Sequence, residues 1–435
     1  MFTELSVPLV TSTMNIPFVR SLDFSVAYRY EKFNDKDQYV KTTASFDNAN
    51  PNEDFGGTPR ISIRYQPVAD LTLRASWGQS FLSPGPGTLF APVTQNFPQL
   101  FDPVVRVTLQ PPEGVSQSGN PNVTPETTDA YSAGLVYTPK WLPGFTMTVD
   151  IYQLYTTNLI LGAADFAQVL LSTGQVDPDG PILNGGGPAL GITRNPDGTL
   201  SSIDSANGNA GARLIEGLDV TAVYEIPTER WGKFTFSGGW NHFFIWKAGL
   251  GIPGFELHNF LGDYNNGTFP LAPGGIPFNK AFLRGEWEWK HFDFVATGNY
   301  IGDYEDDPAF IFGNDLAGPQ PGRGGTLANP AYQLHHRVSE YETLDLQLSY
   351  EWVKPAVEPA PYVKESKDSK NVMQTEATTA SIWQRMLWGT KLTVGVNNVF
   401  DRYPPTVLGA FNDNYDTSNY SIRNRYYYVS LTKKF

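Results

Sequence analysis

The chain has 435 residues, no cysteine, and 31 Lys and Arg against 44 Asp and Glu, which gives a formal net charge of −13. Its mean hydropathy is −0.30, and no run of about 18 apolar residues occurs, so a membrane-spanning helix is excluded. An acidic chain without a basic block is not expected to bind nucleic acid, and a chain without cysteine forms no disulfide and no Cys-ligated metal centre. Membrane-crossing β-strands are compatible with this composition, because each needs only about 10 alternating residues.

Apolar and polar residues alternate with a period of two outside the loops, and this pattern predicts about thirteen β-strands. In residues 391–398, for example, Leu392, Val394 and Val396 share one face and Lys391 lies on the other. The same alternation runs, in chain order, through residues 22–29, 145–152, 217–224, 281–289 and 344–350.

The predicted strand at 281–289 carries Arg284, Glu286 and Glu288 on the face opposite Leu283. Three charges on one strand face would be costly in a closed core but inexpensive in a water-filled lumen. The alternation alone leaves open a soluble antiparallel sheet with the charges outside and the aromatic residues inside.

The connections between the predicted strands alternate between short and long. Outer-membrane barrels have short turns at the periplasmic rim and long loops at the extracellular rim, whereas β-sandwiches distribute loop lengths over both ends. The segment 353–389 is long but falls on the short-turn side, and it is interpreted as a polar periplasmic excursion with a short helix near 381–387. The short connections lie near 66–70, 138–143, 226–231 and 291, and the long ones at roughly 34–56, 83–125, 159–211, 248–279, 305–340 and 402–420.

The last predicted strand ends at Phe435, with Leu431, Val429 and Tyr427 on one face. This ending resembles the signature that the barrel assembly machinery recognises in outer-membrane barrels, so Phe435 is the predicted assembly signal. Lys433 departs from the signature, in which a hydrophobic residue or tyrosine is usual at that place. The lysine either weakens the signal or extends its ammonium group to the membrane interface.

Several motifs carry a family resemblance. Residues 119–127 read GNPNVTPET, residues 73–81 read LRASWGQSF, residues 215–219 read IEGLD and residues 396–401 read VNNVFD. In this order and spacing they resemble the later part of the β-barrel domain of TonB-dependent outer-membrane receptors. The resemblance covers essentially the whole chain. It implies an all-β fold, an antiparallel transmembrane β-barrel domain over residues 1–435, with about 13 of the roughly 22 strands of such a receptor.

Receptors of this family also carry a signal peptide, a TonB-binding motif and a plug domain, and no part of this sequence resembles them. Residues 1–8 contain no basic or apolar export region. An open sheet with an odd number of strands has two unpaired edges that lipid cannot satisfy. We therefore expect a C-terminal receptor fragment from a truncated or split gene, which aggregates or is degraded unless the other half is supplied.

The resemblance implies a receptor in the cell outer membrane of a Gram-negative bacterium, surrounded by outer-membrane lipid. It would take up a scarce, large nutrient ligand such as a ferric siderophore, cobalamin or a glycan, with energy supplied by TonB through the N-terminal part. Substrate contacts are expected in the loops 83–125, 159–211 and 305–340, without individual assignments. The aromatic residues of these loops are interpreted as packing residues rather than ligand contacts; they are Phe90, Phe97, Phe101 and Tyr332.

The sequence offers no pattern typical of a catalytic, metal or cofactor site. His335 and His336 are adjacent, so on a strand they would lie on opposite faces and could not form a zinc pair. Glu286 and Glu288 are interpreted as wall charges facing Arg284 rather than as a catalytic pair. We therefore expect no enzyme activity, no metal and no cofactor.

Two other functions stay open. A passive porin-like barrel, closed by this chain alone with about fourteen or sixteen strands, would conduct without TonB. A secreted carbohydrate-binding β protein would be soluble without detergent and would not need a C-terminal phenylalanine strand. The receptor-type motifs favour the receptor over both.

Overall fold

The computed structural model describes residues 1–34, 52–98, 100–102, 104–105, 107–173, 191–250, 257–265, 274–306, 336–354, 381–410 and 414–434. In this part of the chain thirteen antiparallel strands follow one another in a single sheet, which we call the wall, and each pairs with its neighbours in the sequence. The first and last of them lie at the two edges of the wall, and the short strand His258–Asn259 also pairs within the sheet. The predicted number of about thirteen is confirmed. The wall strands are β1 Phe2–Val10, β2 Ser21–Asn34, β3 Asn52–Val68, β4 Leu71–Leu82, β5 Glu126–Tyr137, β6 Phe145–Leu161, β7 Gly208–Thr228, β8 Gly232–Leu250, β9 Asn279–Trp289, β10 Phe292–Ile301, β11 Tyr341–Trp352, β12 Thr390–Asn397 and β13 Tyr426–Lys433.

The strand register places the charges of β9 on one face of the wall. Arg284 lies opposite Ser237 on β8 and Thr297 on β10, and its guanidinium Nη2 is 3.1 Å from Oε2 of Glu286. Because side chains alternate between the two faces of a strand, these residues share a polar face, as the sequence predicts. Leu283 lies on the opposite, apolar face.

The apolar face of the wall is exposed rather than packed against another layer. Leu283 is 67 % exposed, Val429 72 % and Leu431 70 %. A soluble sheet would bury such a face in a core, so this exposure does not fit the soluble alternative. Other exposed members of the apolar face are Val26, Ile63, Ile151, Phe294, Leu348 and Val394.

Apart from 353–389, long and short connections leave from opposite rims of the wall, as predicted. The turns at 69–70, 138–144, 229–231 and 290–291 join strands at one rim, which we call the short-loop rim. At 290–291 the hairpin turns with Lys290 at φ 55°, the left-handed conformation that tight β-hairpins require. The connections at the long-loop rim are 35–51, 83–125, 162–207, 251–278, 302–340 and 398–425.

The predicted helix near 381–387 is present as Ile382–Leu387, and residues 355–380 lie outside the described part of the chain. Phe435, the predicted assembly signal, also lies outside it. The helices among the described residues are a 3-10 helix Ser12–Met14, α1 Pro86–Phe90, α2 Ala163–Thr173 and α3 Ile382–Leu387. Short strands in the long connections are Thr94–Asn96, Leu100–Asp102, Val107–Leu109, Val115–Ser118, Gly191–Arg194, Leu200–Ala206, His258–Asn259, Tyr264–Asn265, Gly274–Gly275, Tyr304–Glu305 and Arg337–Val338.

The buried apolar cores lie at the long-loop rim, in the connections and the strand ends next to them. Phe166, Val115 and Ile203 are fully buried in one such core, and Val338 and Val407 in another. The wall itself buries little apolar surface, because its apolar face is open and its other face is polar. The fold therefore concentrates its packing where the long loops meet.

Candidate functional site

The connections 83–125 and 162–207 interlock in a small sheet above the wall. Its strand order is Gly191–Arg194, Leu200–Ala206, Val115–Ser118 and Thr94–Asn96, and the central pair is parallel. Each connection contributes two neighbouring strands. The two pairs meet at the centre of the sheet, where Ile203 lies opposite Val115. We call these two connections, with α2, the first loop unit.

Helix α2 covers this sheet with its apolar side. Phe166 and Ala167 are fully buried and Leu170 is 3 % exposed, at the spacing that places residues on one helix face. At the start of the helix the side-chain oxygen of Asn207 accepts a hydrogen bond from Ala163 N at 2.9 Å. This acceptor satisfies one of the amides that a helix N-terminus leaves without a partner.

A buried ion pair joins the two connections of the first loop unit. Asp102 has no exposed surface, and Arg194 binds it in a bidentate manner, with Nη1 to Oδ2 at 2.6 Å and Nη2 to Oδ1 at 2.9 Å. The hydrogen bonds from Arg194 hold the pKa of the Asp102 carboxyl below its usual range, against the opposing effect of burial. Paired donors of this geometry fix orientation as well as charge.

The GNPNVTPET motif forms the base of the first loop unit. Asn120 Nδ2 donates to the carbonyl of Asn207 at 3.0 Å, and Thr124 exchanges backbone hydrogen bonds with the side chain of Asn209, each at 2.7 Å. The amide side chains thus complete backbone pairing where the regular strands end. The motif that carries the family resemblance is therefore a structural tie between the two connections.

A second loop unit forms around the carboxylate of Asp416, which is 2 % exposed. It accepts hydrogen bonds from Gly275 N at 2.9 Å and from the hydroxyl of Tyr304 at 3.0 Å. Ser418 N at 2.9 Å and Asn419 Nδ2 at 2.6 Å complete the cluster. One carboxylate therefore ties together the connections 251–278, 302–340 and 398–425. Burial, followed by the nearby charge of Asp416, raises the pKa of Tyr304 far above its ordinary value.

Asp306 makes a second tie in this unit. Its carboxylate, 4 % exposed, accepts hydrogen bonds from Leu408 N at 2.6 Å and Gly409 N at 3.1 Å, and lies 2.8 Å from Nδ1 of His336. It therefore joins the connection 302–340 to the connection 398–425. Apolar packing among Tyr304, Val338 and Val407 supports the same junction.

The polar face of the wall below the loops carries rows of hydrogen-bonded side chains. Asn241 Nδ2 donates to Asp219 at 2.7 Å and to the hydroxyl of Tyr152 at 3.0 Å, and the hydroxyls of Ser76 and Ser132 are 2.8 Å apart. One row crosses seven neighbouring strands in register, through Asp23, Arg64, Arg74, Gly134, Asp150, Asp219 and Asn241.

A cavity of about 580 Å³ lies on the polar face of β1 to β4. Its lining contains hydroxyl groups and four charged side chains, which are Glu4, Arg29, Glu31 and Arg60. Arg29 and Glu31 form an ion pair within it. The cavity therefore has charged groups and hydroxyls in its walls together with the rings of Phe2 and Phe81.

The aromatic residues predicted to pack in the loops differ in how deeply they are buried. Phe90 is 7 % exposed and packs with Leu89 and Val123, as expected of a packing residue, whereas Phe97 is 48 % exposed. The side chain of Phe101 and all of Tyr332 lie outside the described residues, as do residues 307–335 of the third predicted loop.

The connections 251–278 and 398–425 are predicted as long loops, but their part in the loop assembly is not predicted from the sequence. Trp246 on β8 and Phe260 in the connection 251–278 pack in one buried core, with ring centroids 6.0 Å apart. The signal in the sequence was the Asp-Thr-Ser-Asn run at 416–419, because Asp and Ser at this spacing form turns that cap their own backbone. Asp416 uses this turn and gains its remaining donors from distant loops.

In the described ranges no group of three or more His, Asp or Glu side chains is arranged to hold a metal ion. No helix in the same ranges is long and apolar enough to cross a membrane.

Residues 12–399 match the family model described as TonB dependent receptor-like, beta-barrel. The match covers most of the sequence, and the chain belongs to this family of receptors and transporters. The family resemblance of the sequence motifs is thereby confirmed. No curated protein matches the sequence.

Two solved structures show the same fold. The siderophore receptor PirA from Acinetobacter baumannii is 10 % identical with a TM-score of 0.50, over 99 % of this chain and 53 % of that chain. A mutant of the ferric enterobactin receptor PfeA from Pseudomonas aeruginosa is 14 % identical with a TM-score of 0.52, over 100 % of this chain and 45 % of that chain. The chain thus spans about half the length of the solved receptors that it resembles.

Proposed function

We propose that this chain forms the lipid-facing wall and extracellular loops of a TonB-dependent receptor in the outer membrane of a Gram-negative bacterium. In the whole receptor, the long-loop rim faces the medium and the short-loop rim faces the periplasm. The ligand class that we propose is a ferric siderophore, since the two structures with the same fold are a siderophore receptor and a ferric enterobactin receptor. TonB would supply energy through an N-terminal part, and the barrel assembly machinery would recognise Phe435.

The packing of the long loops is the observation that carries this proposal. Asp102 with Arg194, and Asp416 with its four partner residues, tie connections that are far apart in the sequence into two units with buried cores. A passive pore has no need of such cross-ties, whereas a receptor gains affinity from loops that are ordered before the ligand arrives. The predicted contact loops 83–125, 159–211 and 305–340 all enter these units, and we propose them as the ligand-binding stretches.

The experiment is uptake of radioactive iron by a Gram-negative host strain that lacks its own siderophore receptors. The chain is expressed with an export signal, and the plug and N-terminal strands of a related receptor are supplied as a second polypeptide. A catecholate, a hydroxamate, cobalamin and a maltodextrin are compared in cells with and without TonB. We expect uptake of one ferric siderophore class that requires both polypeptides and TonB.

Two results would contradict the proposal. Solute flux that is the same without TonB would favour the passive barrel. A chain that remains in solution without detergent and binds the maltodextrin there would favour the secreted carbohydrate-binding protein. Saturable TonB-dependent uptake of cobalamin or the glycan alone would keep the receptor function and replace the ligand class.

A further inference from the structure

Helix α3 exposes an apolar face at the short-loop rim. Ile382 is 71 % exposed, Trp383 72 % and Met386 63 %. At about 100° per residue these side chains and Leu387 fall within one arc of roughly 140°, while Arg385 lies to one side of it. Large apolar side chains clustered on one side of a short helix indicate contact with a partner surface.

The C-terminal end of α3 is fixed to the last wall strand by Lys433. The ammonium Nζ of Lys433 donates to the carbonyl of Met386 at 2.6 Å and to the carbonyl of Trp388 at 2.5 Å. The last carbonyls of a helix have no partner within the helix, and a cation at this end also complements the helix dipole. The residue that departs from the assembly signature therefore has a structural role here.

The position of Lys433 places the helix end beside the lipid-facing surface. Lys433 lies two and four residues after Leu431 and Val429 on β13, so all three share the apolar face of the wall. Through Lys433 the end of the helix is held at the end of this face. Its exposed apolar side chains therefore lie at the short-loop rim, near the end of the surface that we propose to face lipid.

Aromatic and basic side chains surround the same junction. Trp352 is on the apolar face at the end of β11, and Lys354 Nζ lies 6.0 Å from the ring centroid of Trp388. Arg385 and Lys434 are exposed nearby. Tryptophan and basic residues at the end of an apolar surface are typical of the headgroup level of a membrane, where anionic lipids attract the cations.

We propose that α3 lies flat in the periplasmic interface of the outer membrane, with Ile382, Trp383 and Met386 at the level of the upper acyl chains. Its partner is a phospholipid surface with anionic headgroups, and Lys433 holds the helix against the wall. This inference rests on the membrane orientation in the proposed function. It adds a lipid-binding element to a segment that the barrel fold itself does not require.

Spin labels at single cysteines test the proposal, because the chain contains no other cysteine. The full chain carrying Ile382→Cys or Trp383→Cys is labelled with a nitroxide. It is reconstituted, together with a cysteine-free form of the second polypeptide of the uptake experiment, in vesicles of phosphatidylethanolamine and phosphatidylglycerol. Val429→Cys provides a reference within lipid and Asp197→Cys a reference in water. We expect the ratio of collision with oxygen to collision with a water-soluble nickel chelate to lie between the two references.

Three outcomes overturn the proposal, and they differ in what else they affect. A ratio at 382 and 383 equal to that at 197 places the helix in water, while a lipid-level ratio at 429 keeps the membrane wall. Inaccessibility to both reagents places the helix against protein. A ratio at 429 as low as that at 197 means that the wall is not in lipid, which contradicts the proposed function as well.

Lys433 is tested separately from lipid contact. In the chain labelled at 382, Lys433→Met should increase the mobility of the label, because the carbonyls of Met386 and Trp388 lose their donor. Lys434→Met is the matched control, since Lys434 is exposed and contacts only Glu351, at 3.6 Å, among the described ion pairs. Equal mobility in both variants would show that Lys433 does not hold the helix.

Discussion

Arg74 on β4 and Asp150 on β6 form an ion pair across the strand that separates them. Arg74 Nη2 lies 2.5 Å from Asp150 Oδ2, and Nε lies 3.0 Å from Oδ1. On β5, between them, stands Gly134, which is in register with both residues. The pair can close because the intervening residue has no side chain.

Gly134→Ala should therefore destabilise the wall. A Cβ atom at this position would overlap Asp150 Oδ1 and lie 2.5 Å from the carbonyl oxygen of Val149, so the ion pair must open or the strands must shift. Crowding of this kind typically costs about 1–3 kcal/mol. The measurement is thermal unfolding, followed by circular dichroism, of the chain refolded in detergent together with the second polypeptide of the uptake experiment. Gly298→Ala is the control, since its nearest neighbour would be the Leu283 carbonyl at 3.9 Å, and an equal loss in both variants would contradict the explanation.

Tyr152 spans a second glycine on the same face. Its ring lies over Gly217, where an added Cβ would be 2.5 Å from the hydroxyl oxygen, and that hydroxyl accepts a hydrogen bond from Asn241. Tyr152→Phe keeps the ring over the glycine and loses this bond, so we expect a loss of about 1 kcal/mol. Tyr152→Ala also uncovers the glycine and should cost more. Urea unfolding midpoints that are equal for the two variants would contradict a role for the ring.

Asp416→Asn should loosen the second loop unit without unfolding the wall. The amide retains one acceptor oxygen and turns an NH2 group toward backbone and hydroxyl donors. Leaving a buried donor without a partner costs about 1–3 kcal/mol. Hydrogen exchange should become faster at the amide of Gly275, which donates to Asp416 at 2.9 Å, and stay unchanged in β12. Asp197→Asn, in an exposed turn, is the control, and an unchanged Gly275 amide would refute the assignment.

The first loop unit should loosen in acid through Asp102. The pKa of this carboxyl is lowered in the folded chain, so its contribution to stability is present above about 4, the unfolded value, and is lost as the pH falls through the folded value. Hydrogen exchange of residues 115–118, corrected for the intrinsic effect of pH, should therefore rise in that range. Arg194→Gln removes the main cause of the lowered pKa and should make the unit loose at neutral pH. If acidification increased hydrogen exchange at residues 115–118 by the same factor in Arg194→Gln as in the unchanged chain, groups other than Asp102 would cause the increase.

The wall could be predicted from the sequence because its signal is local. Alternation with a period of two fixes which residues of β9 share a face, and it predicts Arg284 and Glu286 on the polar face, as the strand register shows. The helix Ile382–Leu387 and the rim of each connection follow from similarly local patterns. The pairing register of the strands is strongly constrained in such a sheet, because a slip of one residue would exchange the polar and apolar faces.

The loop units could not be predicted in the same way. Asp102 and Arg194 are 92 positions apart, and Asp416 and Gly275 are 141 apart, so no local pattern connects them. The parallel pairing of Val115–Ser118 with Leu200–Ala206 likewise arises only from tertiary contacts. The GNPNVTPET motif indicates the family. No local pattern predicts that Asn120 binds Asn207 and that Thr124 binds Asn209, so the role of the motif as a tie is seen only in the structure.

The cross-ties decide how these loops can be exchanged between related receptors. A graft that brings in a foreign 162–207 connection removes Arg194 and leaves Asp102, which has no exposed surface, without its cation. A graft of 398–425 removes Asp416 and leaves Gly275 and Tyr304 without their common acceptor. Natural or engineered exchanges of loops in this chain should therefore involve whole sets of tied connections. The connections 83–125 and 162–207 should be exchanged together, and so should the three connections around Asp416.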